Sequence, residues 1–113
     1  MTNSSVVESE GDRMSEYNQQ AKADGGKLEL DLVPMQIVKD IAEVRMYGNR
    51  KYGDPNNWKT VELRRYVNAL LRHMVEFVED YESEDKESGI ANYKHAACNM
   101  AFICEMMKTR MEM

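Results

Sequence analysis

TVELRRYVNALLRHMVEFVEDY, residues 60–81, decides the fold. Leu63, Val67, Leu70, Leu71, Met74, Phe77, Val78 and Tyr81 recur at three- and four-residue steps, the period of an amphipathic α-helix. A different face of the same helix carries Arg65, Ala69, Arg72, Glu76 and Glu79. Upstream, Pro34 suits a first helical turn, because its missing N–H costs nothing there. Ile37, Val38, Ile41 and Val44 then form a second apolar stripe, and Gly48 is a residue suited to a left-handed helix end. KYGDPNNWK (51–59) holds glycine, proline and two asparagines and is expected to be a loop. Ser83–Gly89 reads as an acidic connector. A third helix is expected from about Gly89 to Lys108, with Ile90, Tyr93, Ala97, Met100, Ile103, Cys104 and Met107 as its stripe.

The expected fold class is therefore all-α: a small bundle of three main helices, the second and third forming an antiparallel hairpin. Residues 1–21 are polar and lack an apolar period, which predicts a flexible N-terminal tail. Residues 22–113 are expected to form the helical domain. Leu28, Leu30 and Leu32 alternate with Glu29 and Asp31, which predicts a short extended arm. A chain of 113 residues has room for one core. A bundle this small gains stability by burying a helix face against another copy, so a homo-oligomer is expected, dimer or tetramer. The Met-rich third helix is one candidate face.

Composition narrows the function. The formal net charge is −5, which argues against a nucleic-acid polymer as partner, because such binding needs a basic face. No apolar run is long enough to span a membrane. The first residues lack the features of a signal peptide, so a cytoplasmic location is expected. Cys98 and Cys104, six apart on one helix, read as small core residues rather than a disulfide or zinc site.

Seven acids fall between Glu76 and Glu87. Like charges this close repel unless solvated or bridged by cations. Glu76 and Glu79 share a helical face and can approach one hard cation, which in nucleotide sites is completed by phosphate oxygens. The same stretch, with Arg72 and His73, also fits a solvated face laced by ion pairs. His95 and Asn99 stand four apart on the third helix, in position to face the acids if the hairpin closes. Lys51, Tyr52, Gly53, Asn57 and Trp58 combine a cation, aromatic rings and an amide, suited either to holding a base and phosphate or to pinning the loop.

KADGGKLELDLVP (22–34), YGNRKYGDPNNW (47–58), RRYVNALLRH (64–73), DKESG (85–89) and HAACN (95–99) occur in an order that resembles the phage-associated dATP/dGTP diphosphohydrolase-type N-terminal domain family. That family is similar to the MazG-type all-α nucleotide pyrophosphohydrolases, helical oligomers that use Mg²⁺ on helix-borne carboxylates. The resemblance implies a pyrophosphohydrolase of purine (deoxy)nucleoside triphosphates, releasing monophosphate and pyrophosphate in phage nucleotide metabolism. It implies Mg²⁺, with Mn²⁺ as a substitute, held by Glu76, Glu79, Glu82, Asp85 and Glu87, with Glu76 and Glu79 catalytic. Substrate would be bound by Lys51, Tyr52, Asn57, Trp58, Arg65, Arg72, His73, His95 and Asn99. Two departures stand out. Asn92 replaces a histidine frequent in the family, and the superfamily's ExxE…ExxD signature is matched by Glu76 and Glu79 alone. A protein that sequesters a nucleotide without hydrolysing it is the second reading of the same scaffold.

Overall fold

A computed structural model describes residues 23–112. The tail expected over residues 1–21 lies outside the described residues. Residues 23–32 and 33–112 belong to two separate units. In the first, Lys27 N–H bonds to the Asp24 carbonyl at 3.1 Å, and Gly26, at φ 82°, supplies the left-handed turn. The extended arm expected at Leu28–Leu32 is not formed. Leu30–Leu32 wind into one turn of 3₁₀ helix, closed by Leu32 N–H on the Glu29 carbonyl at 3.1 Å. Alternation over five residues carries no strand when no neighbouring strand accepts its ladder.

The second unit is built from α1 (Gln36–Tyr52), α2 (Leu63–Glu79) and α3 (Asn92–Glu112). α1 starts two residues after Pro34 and runs through Gly48. It ends at Gly53, whose φ of 74° lets its N–H reach the Asn49 carbonyl at 2.8 Å. The first two residues expected in the loop thus belong to the helix. Asn57–Thr60 form a second 3₁₀ turn, and Glu62, in extended conformation, precedes α2. α2 ends at Glu79, two residues before Tyr81, with Asp80 at φ −155° following it.

α3 is the central helix: α1 and α2 each pack on it and barely on one another. The α2–α3 pair is antiparallel. Tyr66 meets Phe102 near one end, His73 meets His95 in the middle, and Phe77 meets Tyr93 at the other. The α2–α3 connector folds back on itself. Glu84 bridges Ala91, Asp85 N–H bonds to the Ile90 carbonyl at 2.8 Å, and Gly89 takes the positive φ at the bend.

The core is small. Val44, Ile90 and Cys98 are buried, with Ile41, Tyr47 and Phe102 packed around them. The face of α3 that is buried carries Asn92, Ala96 and Cys98, whereas Tyr93, Met100, Cys104 and Met107 of the expected stripe are exposed. Asp40 on α1 is also buried, and its carboxylate is satisfied by Gln36 Nε2 at 3.0 Å and by Lys94 Nζ at 3.8 Å. Pairing of this kind is what makes burying a charge tolerable.

Only one of the two cysteines is a core residue: Cys98 is 3% exposed and Cys104 lies on the surface. Burial pushes the Cys98 thiol up to about 11, so almost none of it is thiolate at neutral pH. Iodoacetamide is therefore expected to modify Cys104 alone in the native protein and both thiols in denaturant, with the sites read by peptide mass spectrometry.

Candidate functional site

Because α1 and α2 both pack on α3 but barely on one another, an open cleft of about 1370 Å³ lies between them, floored by α3. One wall is the C-terminal half of α1 with the following loop. The other is the middle of α2, and the connector closes one end. Lys51, Tyr52, Asn57, Trp58, Arg65, Arg72, His73, His95 and Asn99 all line it, as do Glu76, Asp85 and Glu87. Glu79 and Glu82 do not. Glu79 is the last residue of α2, and the chain turns away at once through Asp80, whose carboxylate accepts the Glu82 N–H at 3.0 Å.

The loop wall is fixed by aromatic packing. Trp58 stacks on Phe102 of α3 with ring centroids 5.1 Å apart, and Tyr66 packs on the same ring at 4.8 Å. The Tyr66 hydroxyl donates to the Trp58 carbonyl at 2.8 Å, and Arg45 lies over Phe102 while bonding the Pro55 carbonyl. Trp58 therefore pins the loop and offers no free ring pair. Tyr52 is 60% exposed, with Lys51 Nζ over its ring at 5.2 Å from the centroid. Phe102 and Arg45 were not legible as site residues, since nothing local marks them.

The connector end is held by charge. Lys51 Nζ pairs with Glu87 Oε2, which also accepts the Tyr47 hydroxyl at 2.8 Å. The hydrogen bond from Lys51, then that from Tyr47, holds the Glu87 carboxyl below its usual range, and the hydrogen bond to Glu87 raises Lys51. Tyr47 sits four residues before Lys51, a spacing that places both on one helix face. Arg65 and Arg72 have no ion-pair partner among the described residues. The Arg72–Glu76 pair of a simple solvated face is thus not formed.

The two histidines of the chain stack at the floor, ring centroids 4.6 Å apart and nearly parallel at 9°. Asn92, only 2% exposed, sets the first of them. Its Nδ2 donates to Ser83 Oγ at 3.0 Å, so its Oδ1 must accept, and His73 Nδ1–H donates to it at 2.7 Å. Ser83 passes its own proton to the Glu76 carbonyl at 3.1 Å. This run of bonds fixes the His73 tautomer and leaves Nε2 free of a protein partner among the described residues. His95 Nε2 sits 2.7 Å from Ser88 Oγ, which also accepts the Ile90 N–H at 3.1 Å. Asn99 donates Nδ2 to the His95 carbonyl at 3.0 Å, which leaves its side-chain oxygen unsatisfied by that bond. In the sequence Asn92 showed only as a departure from the family pattern, and the supporting roles of Asn92, Ser83 and Ser88 were not legible, because what defines them is burial and partners up to nineteen residues away.

Burial, then repulsion from His73, lowers the His95 pKa. Burial alone would raise Asp85, but the Ser88 N–H at 2.9 Å, the Ser88 hydroxyl and the two histidines together hold it below the usual carboxylate range. A depressed histidine binds its proton more readily when unfolded, so stability falls as pH drops from the ordinary histidine value toward the folded one. Asp85 contributes only in more acidic solution, where its depressed carboxyl protonates. The thermal midpoint is expected to fall between pH 7.5 and 5.5, and His95→Gln is expected to flatten that slope in a melting series.

Among the described residues no three His, Cys, Asp or Glu side chains converge on a common metal position. The five-acid set Glu76, Glu79, Glu82, Asp85 and Glu87 is not assembled: two face away from the cleft and Glu87 is taken by Lys51 and Tyr47. Glu76 and Asp85 remain on the cleft wall. A pair of carboxylates fits a hard cation that arrives with its phosphates rather than one caged by protein alone.

The family model described as dATP/dGTP diphosphohydrolase, N-terminal, matches residues 17–113. The chain belongs to this family. It is 33% identical over 89 residues to a protein of Salmonella phage PMBT28 named dATP/dGTP diphosphohydrolase, a match covering 79% of this chain. The chain spans 30% of that curated relative's length. No solved structure matches. No helix among the described residues is long and apolar enough to cross a membrane.

Proposed function

We propose that the cleft binds a purine deoxynucleoside triphosphate and hydrolyses it to the monophosphate and pyrophosphate. The observation that carries this is the convergence of unpaired Arg65 and Arg72, exposed Tyr52, the histidine pair and the carboxylates Glu76 and Asp85 in one cleft. The family and the phage relative are both named for dATP and dGTP.

In this reading Arg65 and Arg72 neutralise the phosphates, and Lys51 joins them by exchanging Glu87 for a phosphate oxygen. Tyr52 stacks on the base. The free oxygen of Asn99 accepts from a base amino group, and His73 Nε2 accepts from the sugar or base. Glu76 takes the proton of the water that attacks the α-phosphorus. The new O–P bond forms as the bond to the β-phosphate bridge oxygen breaks, and pyrophosphate leaves. Mg²⁺ or Mn²⁺, entering with the triphosphate and held by Glu76 and Asp85, would neutralise phosphate charge and acidify the water.

Incubation with dGTP, dATP, dCTP and dTTP in the presence of Mg²⁺, followed by ³¹P NMR, tests it. Pyrophosphate with dGMP or dAMP is expected. No product from any of the four, or tight binding in EDTA with the nucleotide recovered intact, would overturn hydrolysis, and the latter result would establish sequestration.

A further inference from the structure

Arg45 is a cation of the cleft to which the phosphates, metal and attacking water give no task. It lines the cleft from the α1 wall and is half-buried, while Arg65 and Arg72 stand exposed on α2. No carboxylate pairs with it among the described residues. Its guanidinium lies over the Phe102 ring, 5.2 Å from the centroid, and one terminal nitrogen donates to the Pro55 carbonyl. A guanidinium carries five N–H donors in a fixed planar fork, so most of them are left for another partner.

The floor of the cleft gives Arg45 its place along a bound nucleotide. His95, Asn99 and Phe102 stand at i, i+4 and i+7 on α3, so they share one face, and all three line the cleft. Asp85 Oδ2 lies 3.9 Å from His95 Nε2, which sets a carboxylate at the connector end of this row. Arg45 and the aromatic cluster on Phe102 stand at the other end. Seven residues of helix separate the ends by about 10 Å, the scale of a base with its sugar. With the reacting phosphate at the carboxylates, the base falls beside Phe102, at the end that holds Arg45 and next to Asn99.

The two side chains there are chemically complementary. Asn99 has its Nδ2 engaged by the His95 carbonyl and offers an acceptor. Arg45 offers donors alone. An acceptor and a donor fork together match guanine, which presents an amino donor on one edge and the O6 and N7 acceptors on another. Adenine keeps N7 but sets an amino group where guanine has O6.

We propose that Arg45 is a specificity-determining residue that reads the O6/N7 edge of guanine and makes the cleft prefer dGTP to dATP. This deepens the functional reading above and rests on the cleft taking a purine nucleotide.

The test is calorimetric titration of the full chain, in Mg²⁺, with the non-hydrolysable α,β-imido forms of dGTP, dATP and 7-deaza-dGTP. The wild-type chain is expected to bind the dGTP form about tenfold more tightly than the dATP form. Replacing N7 by carbon is expected to weaken binding about fivefold. Arg45→Met is expected to abolish the 7-deaza difference and to bring the dATP form within about twofold of the dGTP form. Equal wild-type affinity for the dGTP and 7-deaza forms would overturn the inference alone, and needs no variant. An Arg45→Met chain that loses the same factor for all three would also overturn it, since that makes Arg45 a phosphate contact or a pin for the loop at Pro55. A wild-type chain that binds none of the three would overturn the nucleotide reading together with the inference.

Discussion

Exchanging Asn92 for leucine is expected to lower the unfolding free energy by about 3 kcal/mol, although the two side chains have similar volume. The asparagine is 2% exposed and holds His73 through Oδ1 and Ser83 through Nδ2. Leucine fills the space but leaves the His73 N–H without its acceptor inside the helix pair. A stranded buried donor costs more than a hydrogen bond contributes when made. For a domain of this size the thermal midpoint should drop by roughly 15 °C, read by circular dichroism. Asn99→Leu is the comparison. Asn99 is half-buried and donates one bond to its own helix, so its loss is expected to cost about 1 kcal/mol. Equal effects would mean that burial of the Asn92 network does not hold the hairpin together.

The second large effect separates two acids that look equivalent in sequence. Glu76→Gln is expected to lower kcat by at least about 100-fold, the usual contribution of a positioned proton acceptor. Glu79→Gln, three residues on, is expected to leave kcat unchanged. Glu76 lines the cleft, while Glu79 ends α2 outside it. Initial rates of pyrophosphate release from dGTP by the two variants make the measurement. Equal losses would return Glu79 to the site, and equal retention would remove Glu76 from it.

The contrast between these acids shows what the sequence could and could not express. Periodicity in residues 60–81 announced α2, because its repeat spans several turns. The single apolar face inferred from that period is split: Leu63, Leu70 and Phe77 are half-buried, whereas Val67, Leu71, Met74, Val78 and Tyr81 are exposed. Periodicity reports that residues share a side, not how many neighbours that side has. Gly48 and Gly53 are locally similar candidates for a helix end. Gly53 takes the positive φ, while α1 continues past Gly48 to place Tyr47 and Lys51 on Glu87 across the cleft. The acid cluster was visible as density. Its dispersal was not, because the direction of each carboxylate depends on the turn at Asp80 and on Lys51, thirty-six residues from Glu87. Lys51, Tyr52 and His95 were read as site candidates from residue type and spacing, whereas Arg65, Arg72 and His73 came with the family resemblance. The Asn92–Ser83 and Ser88 supports were not legible, since they are defined by burial and by the folded connector.

The central claim is that nucleotide occupies the cleft between α1 and α2. The chain has two histidines and one tryptophan, and all three line that cleft. Their side-chain NMR signals therefore report on it without interference from elsewhere. Titration with a non-hydrolysable α,β-imido dGTP and Mg²⁺ is the direct measurement. The imidazole signals of His73 and His95 and the indole N–H of Trp58 are expected to shift together along one saturating curve. Saturable binding that leaves all three unmoved, or no binding at millimolar nucleotide, would contradict the account.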